Sequence, residues 1–157
     1  MKINFKLLAI CIAIPLATGV LAGILTSGSM EAFSELNKPA LSPPGFLFPI
    51  VWTILYVLMG ISSYLVLTLG QVKNKIKDAL FTYGLQLIFN FFWSIWFFNL
   101  EWYLFAFVWL LILWVLILNT IVSFYQISKT AAYLLIPYLL WVTFAGYLNY
   151  SIYLLNG

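Results

Sequence analysis

The sequence contains no histidine, a single cysteine and four acidic residues, and each shortage closes off a chemistry. Without an imidazole there is no histidine general base, no histidine metal ligand and no Ser–His–Asp triad. The one thiol, Cys11, lies inside the first apolar run, with no internal disulfide partner and no companions for a thiolate metal cluster. The acids Glu31, Glu35, Asp78 and Glu101 are scattered through expected loops and helix borders, so no metal site is expected. Charge as a whole is scarce. Only 7% of residues carry it, and a net charge of +3 in so apolar a chain speaks of membrane topology rather than nucleic acid.

What is present instead is apolar surface. The chain is 65% hydrophobic and 20% aromatic, with a mean hydropathy of +1.08, leaving too few polar groups to cover a soluble domain. In hydrocarbon every backbone polar group must be satisfied internally, which leaves helices or closed barrels. Barrel strands alternate apolar and polar residues, whereas the runs here are continuous and about 20 residues long, the length of a membrane-crossing helix. The expected fold is an all-α membrane protein, a single bundle of five transmembrane helices with spans at about 7–25, 46–69, 79–98, 102–124 and 131–154. The stretches Thr26 to Gly45 and Gly70 to Asp78 read as loops.

The first run also fits a cleaved signal peptide, with Lys2 and Lys6 ahead of it and small residues from Ala17 to Gly23. Its length exceeds a usual signal core, which favours a retained span. Gly19 and Gly23 lie four apart and suit close approach of another helix. With five spans, Lys2, Lys6, Lys73, Lys75, Lys77 and Lys129 share one side, and Lys38 with Glu31, Glu35 and Glu101 lies on the other. By the positive-inside rule the N-terminus is expected in the cytoplasm, and the first loop and the C-terminus outside.

Three stretches hold candidate functional residues. Pro39, Pro43 and Pro44 forbid a regular helix through the first loop, and Gly45 follows as its last flexible joint. Just beyond, Trp52 and Tyr56 stand four apart on one helix face. A stiff lid beside an aromatic face suggests a place for a flat, greasy ligand. In the third span Gln86, Asn90 and Trp93 form one stripe, which should face the bundle interior because an amide facing lipid would be unpaired. Two readings of Asn90 stand side by side, helix glue and contact with a polar ligand atom. In the fifth span Pro137, Trp141 and Ala145 follow one another by four, flanked by Phe144 and Leu148. Pro137 should kink that helix, and Ala145 should deepen the space beside Trp141. Trp102, Tyr103 and Tyr153 sit at expected helix ends, where interfacial aromatic belts account for them.

The segment from Asn37 to Gly60, the run from Gln86 to Trp93 with Phe97 and Phe98, and the stretch from Pro137 through Ala145 to Leu148–Tyr150 together resemble the TspO/MBR family. Its members are the bacterial tryptophan-rich sensory proteins and the mitochondrial translocator protein, or peripheral benzodiazepine receptor. The resemblance covers four of the five expected helices in order and spacing. It implies a retained first helix, a cavity under the first loop, and binding of tetrapyrroles such as protoporphyrin IX or haem. It also implies benzodiazepine-type drugs, sterols or lipids as further ligands, and a homodimer. No cofactor is required on this reading.

The implied lining is Phe33, Lys38, Pro39, Pro44, Gly45, Trp52 and Tyr56 from the lid and second span, with Asn90 and Trp93 from the third. Trp141, Phe144, Ala145 and Leu148 complete it from the fifth. Lys38 is the nearby cation for a porphyrin propionate. Some bacterial members promote light-dependent porphyrin breakdown, in which Trp52 and Trp141 would be the catalytic residues. Binding in transport, sensing or disposal of tetrapyrroles is thus the leading function, with porphyrin degradation or a lipid-holding scaffold as alternatives. Several positions depart from the family. Ala32-Phe33 replaces the usual Trp-Tyr pair, and Trp109 stands where an acid is common in the fourth helix. The sterol motif at Leu148–Tyr150 lacks a downstream Lys or Arg. Phe81 and Leu85 replace the small pair of the third helix, which argues against dimerisation through that face.

Overall fold

Five helical segments, each long and apolar enough to cross a membrane, run back and forth through the structure. The computed structural model describes residues 2–156. Helix α1 (Phe5–Thr26) is capped by the Asn4 side chain and followed by a 3-10 turn, Ser27–Ser29, and the short helix α2 (Met30–Ser34). After the proline loop come α3 (Leu47–Leu69) and α4 (Lys73–Ser94), the latter widening into a π-turn over Ile95–Asn99. Helix α5 (Tyr103–Tyr125) leads to a fifth crossing in two pieces, α6 (Lys129–Tyr133) and α7 (Ile136–Asn156). Around the bundle the neighbours are α1, α3, α6–α7, α5, α4 and α1 again.

Three local expectations need correction. Residues 70–78 are not all loop, because α4 begins at Lys73. Lys73, Lys75 and Lys77 stand on its first turns, as hydropathy marks where the apolar run starts and not where the helix does. The first loop is not irregular throughout. The hydroxyls of Thr26, Ser27 and Ser34 donate to the carbonyls of Ala22, Ile24 and Glu31, so hydrogen-bonded turns continue to Ser34. Finally, Pro137 interrupts the fifth crossing instead of only bending it. It has no amide hydrogen for the Tyr133 carbonyl, and α6 ends at Tyr133, with a turn at Leu134–Leu135 before α7 restarts at Ile136.

Helices α1 and α3 meet most closely at a glycine that the sequence reading passed over. A Cβ on Gly60 would fall on the Ile12 Cα and lie 2.8 Å from the Cys11 carbonyl oxygen. That carbonyl is the one whose helical donor Pro15 lacks, so a bare Gly60 backbone can approach it. Gly19 meets only the ring of Tyr56, and Gly23 faces open space, with no atom within 4 Å of a Cβ. Adding a methyl group should therefore separate the two glycines. Gly60→Ala is expected to destabilise the bundle by about 1–3 kcal/mol through overpacking, and Gly23→Ala to stay within about 0.5 kcal/mol. Thermal unfolding midpoints in detergent test this, and equal shifts for the two variants would contradict it.

Candidate ligand-binding site

The α3 and α6–α7 segments are joined at one end and spread at the other. At the joined end the Ser62 hydroxyl donates to the Ala131 carbonyl at 2.6 Å, and Ser128 caps α6 through the Ala131 amide. Nearer the first loop the two helices meet through rings, Trp52 against Tyr138 at 6.2 Å and Phe48 against Trp141 at 5.9 Å. A mostly apolar cavity of about 980 Å³ fills the spread half, walled by α1, α3, α7 and the end of α4, and roofed by the first loop.

Its walls are π-faces held by neighbours. Trp52 stacks on Tyr56 at 5.6 Å and Trp93 on Phe97 at 5.1 Å. The Trp93 indole N–H donates to Asn149 Oδ1 at 3.0 Å, and Asn149 Nδ2 donates to the Tyr103 carbonyl at 2.8 Å, which sets the indole's plane. In the roof Phe33 of α2 stands edge-on to Phe48, Phe97 and Phe98, with centroids at 6.4, 5.9 and 5.0 Å.

Beneath the cavity runs a chain of buried polar groups. The Tyr56 hydroxyl donates to Asn90 Oδ1 at 2.8 Å, Asn90 Nδ2 donates to the Tyr138 hydroxyl at 2.8 Å, and that hydroxyl donates to Gln86 Oε1 at 2.7 Å. The third-span stripe thus points inward as expected, with Gln86 and Asn90 almost wholly buried. Of the two readings of Asn90, these hydrogen bonds favour glue between α3, α4 and α7.

Of the residues expected to line the cavity, Phe33, Lys38, Pro39, Gly45, Trp52 and Tyr56 do so, as do Trp93, Trp141, Ala145 and Leu148. Pro44, Asn90 and Phe144 do not. Pro43 takes the place of Pro44, since adjacent residues of an extended loop face opposite ways. Phe144 backs Trp141 at 5.6 Å and stacks on Tyr147 instead. Lys38 is partly engaged, its ammonium donating to the carbonyls of Ser34 and Leu36 at 3.1 and 3.3 Å and lying 4.9 Å from the Phe33 ring centre. The Trp141 indole N–H is buried beside the cavity with no hydrogen-bond partner.

Sequence reasoning missed the α1 wall, where Leu16, Gly19, Ala22, Gly23 and Thr26 border the cavity. Their signal was present as a stripe of small residues at helical spacing, which reads equally well as helix packing. It also missed Asn149, an amide inside an apolar span.

The polar floor generates a prediction. Asn90→Leu leaves the buried Tyr56 hydroxyl without an acceptor and removes the Tyr138 donor, at a penalty of about 1–3 kcal/mol for an unsatisfied buried group. The unfolding midpoint should fall well below that of Asn90→Gln, and a wild-type midpoint for the leucine variant would show that the chain contributes nothing.

A family model described as TspO/MBR family matches residues 11–155. The tryptophan-rich protein TspO of Chlorobaculum tepidum is 40% identical over 150 residues, 95% of each chain. That of Archaeoglobus fulgidus is 40% identical over 154 residues, 97% of each chain. The translocator protein of Homo sapiens is 38% identical over 122 residues, 77% of this chain and 72% of its own.

Proposed function

The chain belongs to the TspO/MBR family of integral membrane proteins, and on that premise we propose that its cavity receives flat hydrophobic ligands, foremost tetrapyrroles of the protoporphyrin IX kind. Transport, sensing or disposal of such ligands is the corresponding role. The supporting observation is the pairing of π-faces across one space, with the Trp52–Tyr56 stack on α3, the Trp93–Phe97 stack on α4 and its π-turn, and Trp141 on α7. A volume of about 980 Å³ stands at the upper end of the ligand-pocket range of about 300–1,000 Å³. That suits a macrocycle better than a single small ring. Haem and benzodiazepine-type drugs fall in the same class of ligand, whereas the incomplete motif at Leu148–Tyr150 lends little support to sterols. The lysine distribution supports a cell-membrane orientation with the N-terminus in the cytoplasm and the roof outside.

Lys38 has an ammonium hydrogen beyond the two carbonyls it caps, and a propionate at the roof would take it. Titrating the solubilised protein with protoporphyrin IX should quench tryptophan fluorescence saturably. Lys38→Met should weaken binding of the dianionic porphyrin about 2–5-fold, the size of a partly exposed ion pair, and leave a neutral drug-like ligand unaffected. Equal losses for both ligands would remove the role of Lys38. Absence of quenching by any tetrapyrrole would leave a pocket that holds only lipid.

A second reading is favoured by the two indoles, Trp52 and Trp141, that border the same space. With light and dioxygen as co-reactants, these oxidisable rings would take part in breakdown of a bound porphyrin. Trp52→Phe combined with Trp141→Phe should then stop the loss of porphyrin absorbance under illumination. Loss at the wild-type rate would leave binding alone.

A further inference from the structure

The cavity wall is not equally closed on all sides. Rings close it between α3 and α7, and the Trp93–Asn149 bond closes it between α4 and α7. Between α1 and α3 the seal stops at the contact of Gly19 with the Tyr56 ring. Beyond that level Val20 and Gly23 of α1 and Pro49 and Thr53 of α3 line the cavity and are all exposed, Val20 to 61%. Exposed residues lining the cavity from both of two adjacent helices mark the rim of an opening, and this rim lies within two membrane-crossing segments. Its chemistry is apolar. The Thr53 hydroxyl donates to the Pro49 carbonyl of its own helix at 2.7 Å, so the group it offers to lipid is its methyl. Among the described residues the one side-chain hydrogen bond between these helix ends, Asn4 to Tyr64, lies at the opposite end of the bundle.

The roof is tied down by contrast. Asn156 Nδ2 donates to the Asn37 carbonyl and its Oδ1 accepts the Asn37 amide, at 2.7 and 3.0 Å, joining positions 119 residues apart. Asn99 donates to the Leu25 carbonyl at 3.0 Å and accepts from the Ser29 hydroxyl at 2.6 Å. Phe33 adds three ring contacts. Lifting the roof breaks these bonds, whereas passing between Val20–Gly23 and Pro49–Thr53 breaks none and only displaces lipid.

We propose that the cavity loads sideways, from the hydrocarbon of the bilayer through the window between α1 and α3, and not from water past the roof. The proposal rests on the reading that the cavity takes hydrophobic ligands, and it narrows their class to amphiphiles already dissolved in the membrane. Such a molecule slides in ring first, with its polar edge kept at the level of Ser34 and Lys38, both on the cavity border.

The test uses the full chain in phosphatidylcholine–phosphatidylglycerol vesicles, with protoporphyrin IX as probe and stopped-flow quenching of tryptophan as readout. Gly23→Phe and Thr53→Phe narrow the window from its two sides, and a Cβ at Gly23 meets nothing that would oppose folding. Each should slow association by about tenfold and should not speed dissociation, because a gate limits passage in both directions whereas lost cavity contacts would act mainly on dissociation. Ile24→Phe, on the lipid-facing side of α1 and away from the cavity, should leave both rates at wild-type values. Asn156→Ala, which unties the roof, should leave association unchanged. Wild-type rates in both window variants, or association accelerated by Asn156→Ala, would overturn the lateral route while binding itself stood. Absence of equilibrium quenching in the unmodified protein would instead remove the binding reading, and the route with it.

Discussion

The hydrogen-bonded chain from Tyr56 through Asn90 and Tyr138 to Gln86 is the contact on which the rest of the bundle depends. Inside a bilayer no hydrophobic effect drives helices together, because lipid tails are as apolar as leucine. A cavity makes matters harder, since its walls forgo the dispersion contacts that a filled core supplies. Something other than burial must hold α3, α4 and α7 at a set distance while space remains above them. Amide and phenol groups do so because their alternative is an unpaired donor or acceptor in hydrocarbon. Each such bond is worth about 0.6–2 kcal/mol in membrane helices, and three in series clamp three helices at one level.

With the floor held, the walls follow from geometry. Helix α3 is pinned to α1 at Gly60 and to α6 at Ser62, both on the far side of Tyr56 from the roof. Its other half is free to lean away, and large rings occupy the divergence. Trp52, Phe48 and Trp141 prop the helices apart as much as they join them, since rings that meet edge-on keep centroids about 5–7 Å apart. The roof is a separate device. Phe33, carried on one short turn of helix, seats among Phe48, Phe97 and Phe98, while Asn99 and Asn156 fasten the loop's two flanks. Among the described residues these separate fastenings leave the roof-side half of the α1–α3 edge without a side-chain cross-bond, the Asn4–Tyr64 bond lying at the far end.

Residue by residue, legibility tracked how local the cause was. Long apolar runs depend on composition alone, so the five crossings were readable, while the start of α4 at Lys73, ahead of its apolar run, was not. The inward direction of Gln86, Asn90 and Trp93 was readable too, because helical period and the aversion of amides to lipid both act along one segment. The effect of Pro137 was readable in kind and not in degree. Its missing amide marks a distortion one turn earlier, and only in space does this become an interruption at Leu134–Leu135. Lining by Pro43 in place of Pro44 is likewise a matter of one loop's orientation. The part α1 plays stayed hidden because small residues serve equally well to admit a helix or to border a void.

By itself the sequence determined that this is a helical membrane protein of five crossings, with aromatic and amide side chains turned inward from the second, third and fifth. The physical reason is that solvent selects for these features one segment at a time. Only the tertiary structure decided that Gly60 and not Gly19 brings two backbones together, that Asn90 is consumed beneath the cavity, and that the α1–α3 edge carries its side-chain bond at the end away from the roof. Those outcomes depend on distances between segments far apart in the chain, which no local preference encodes.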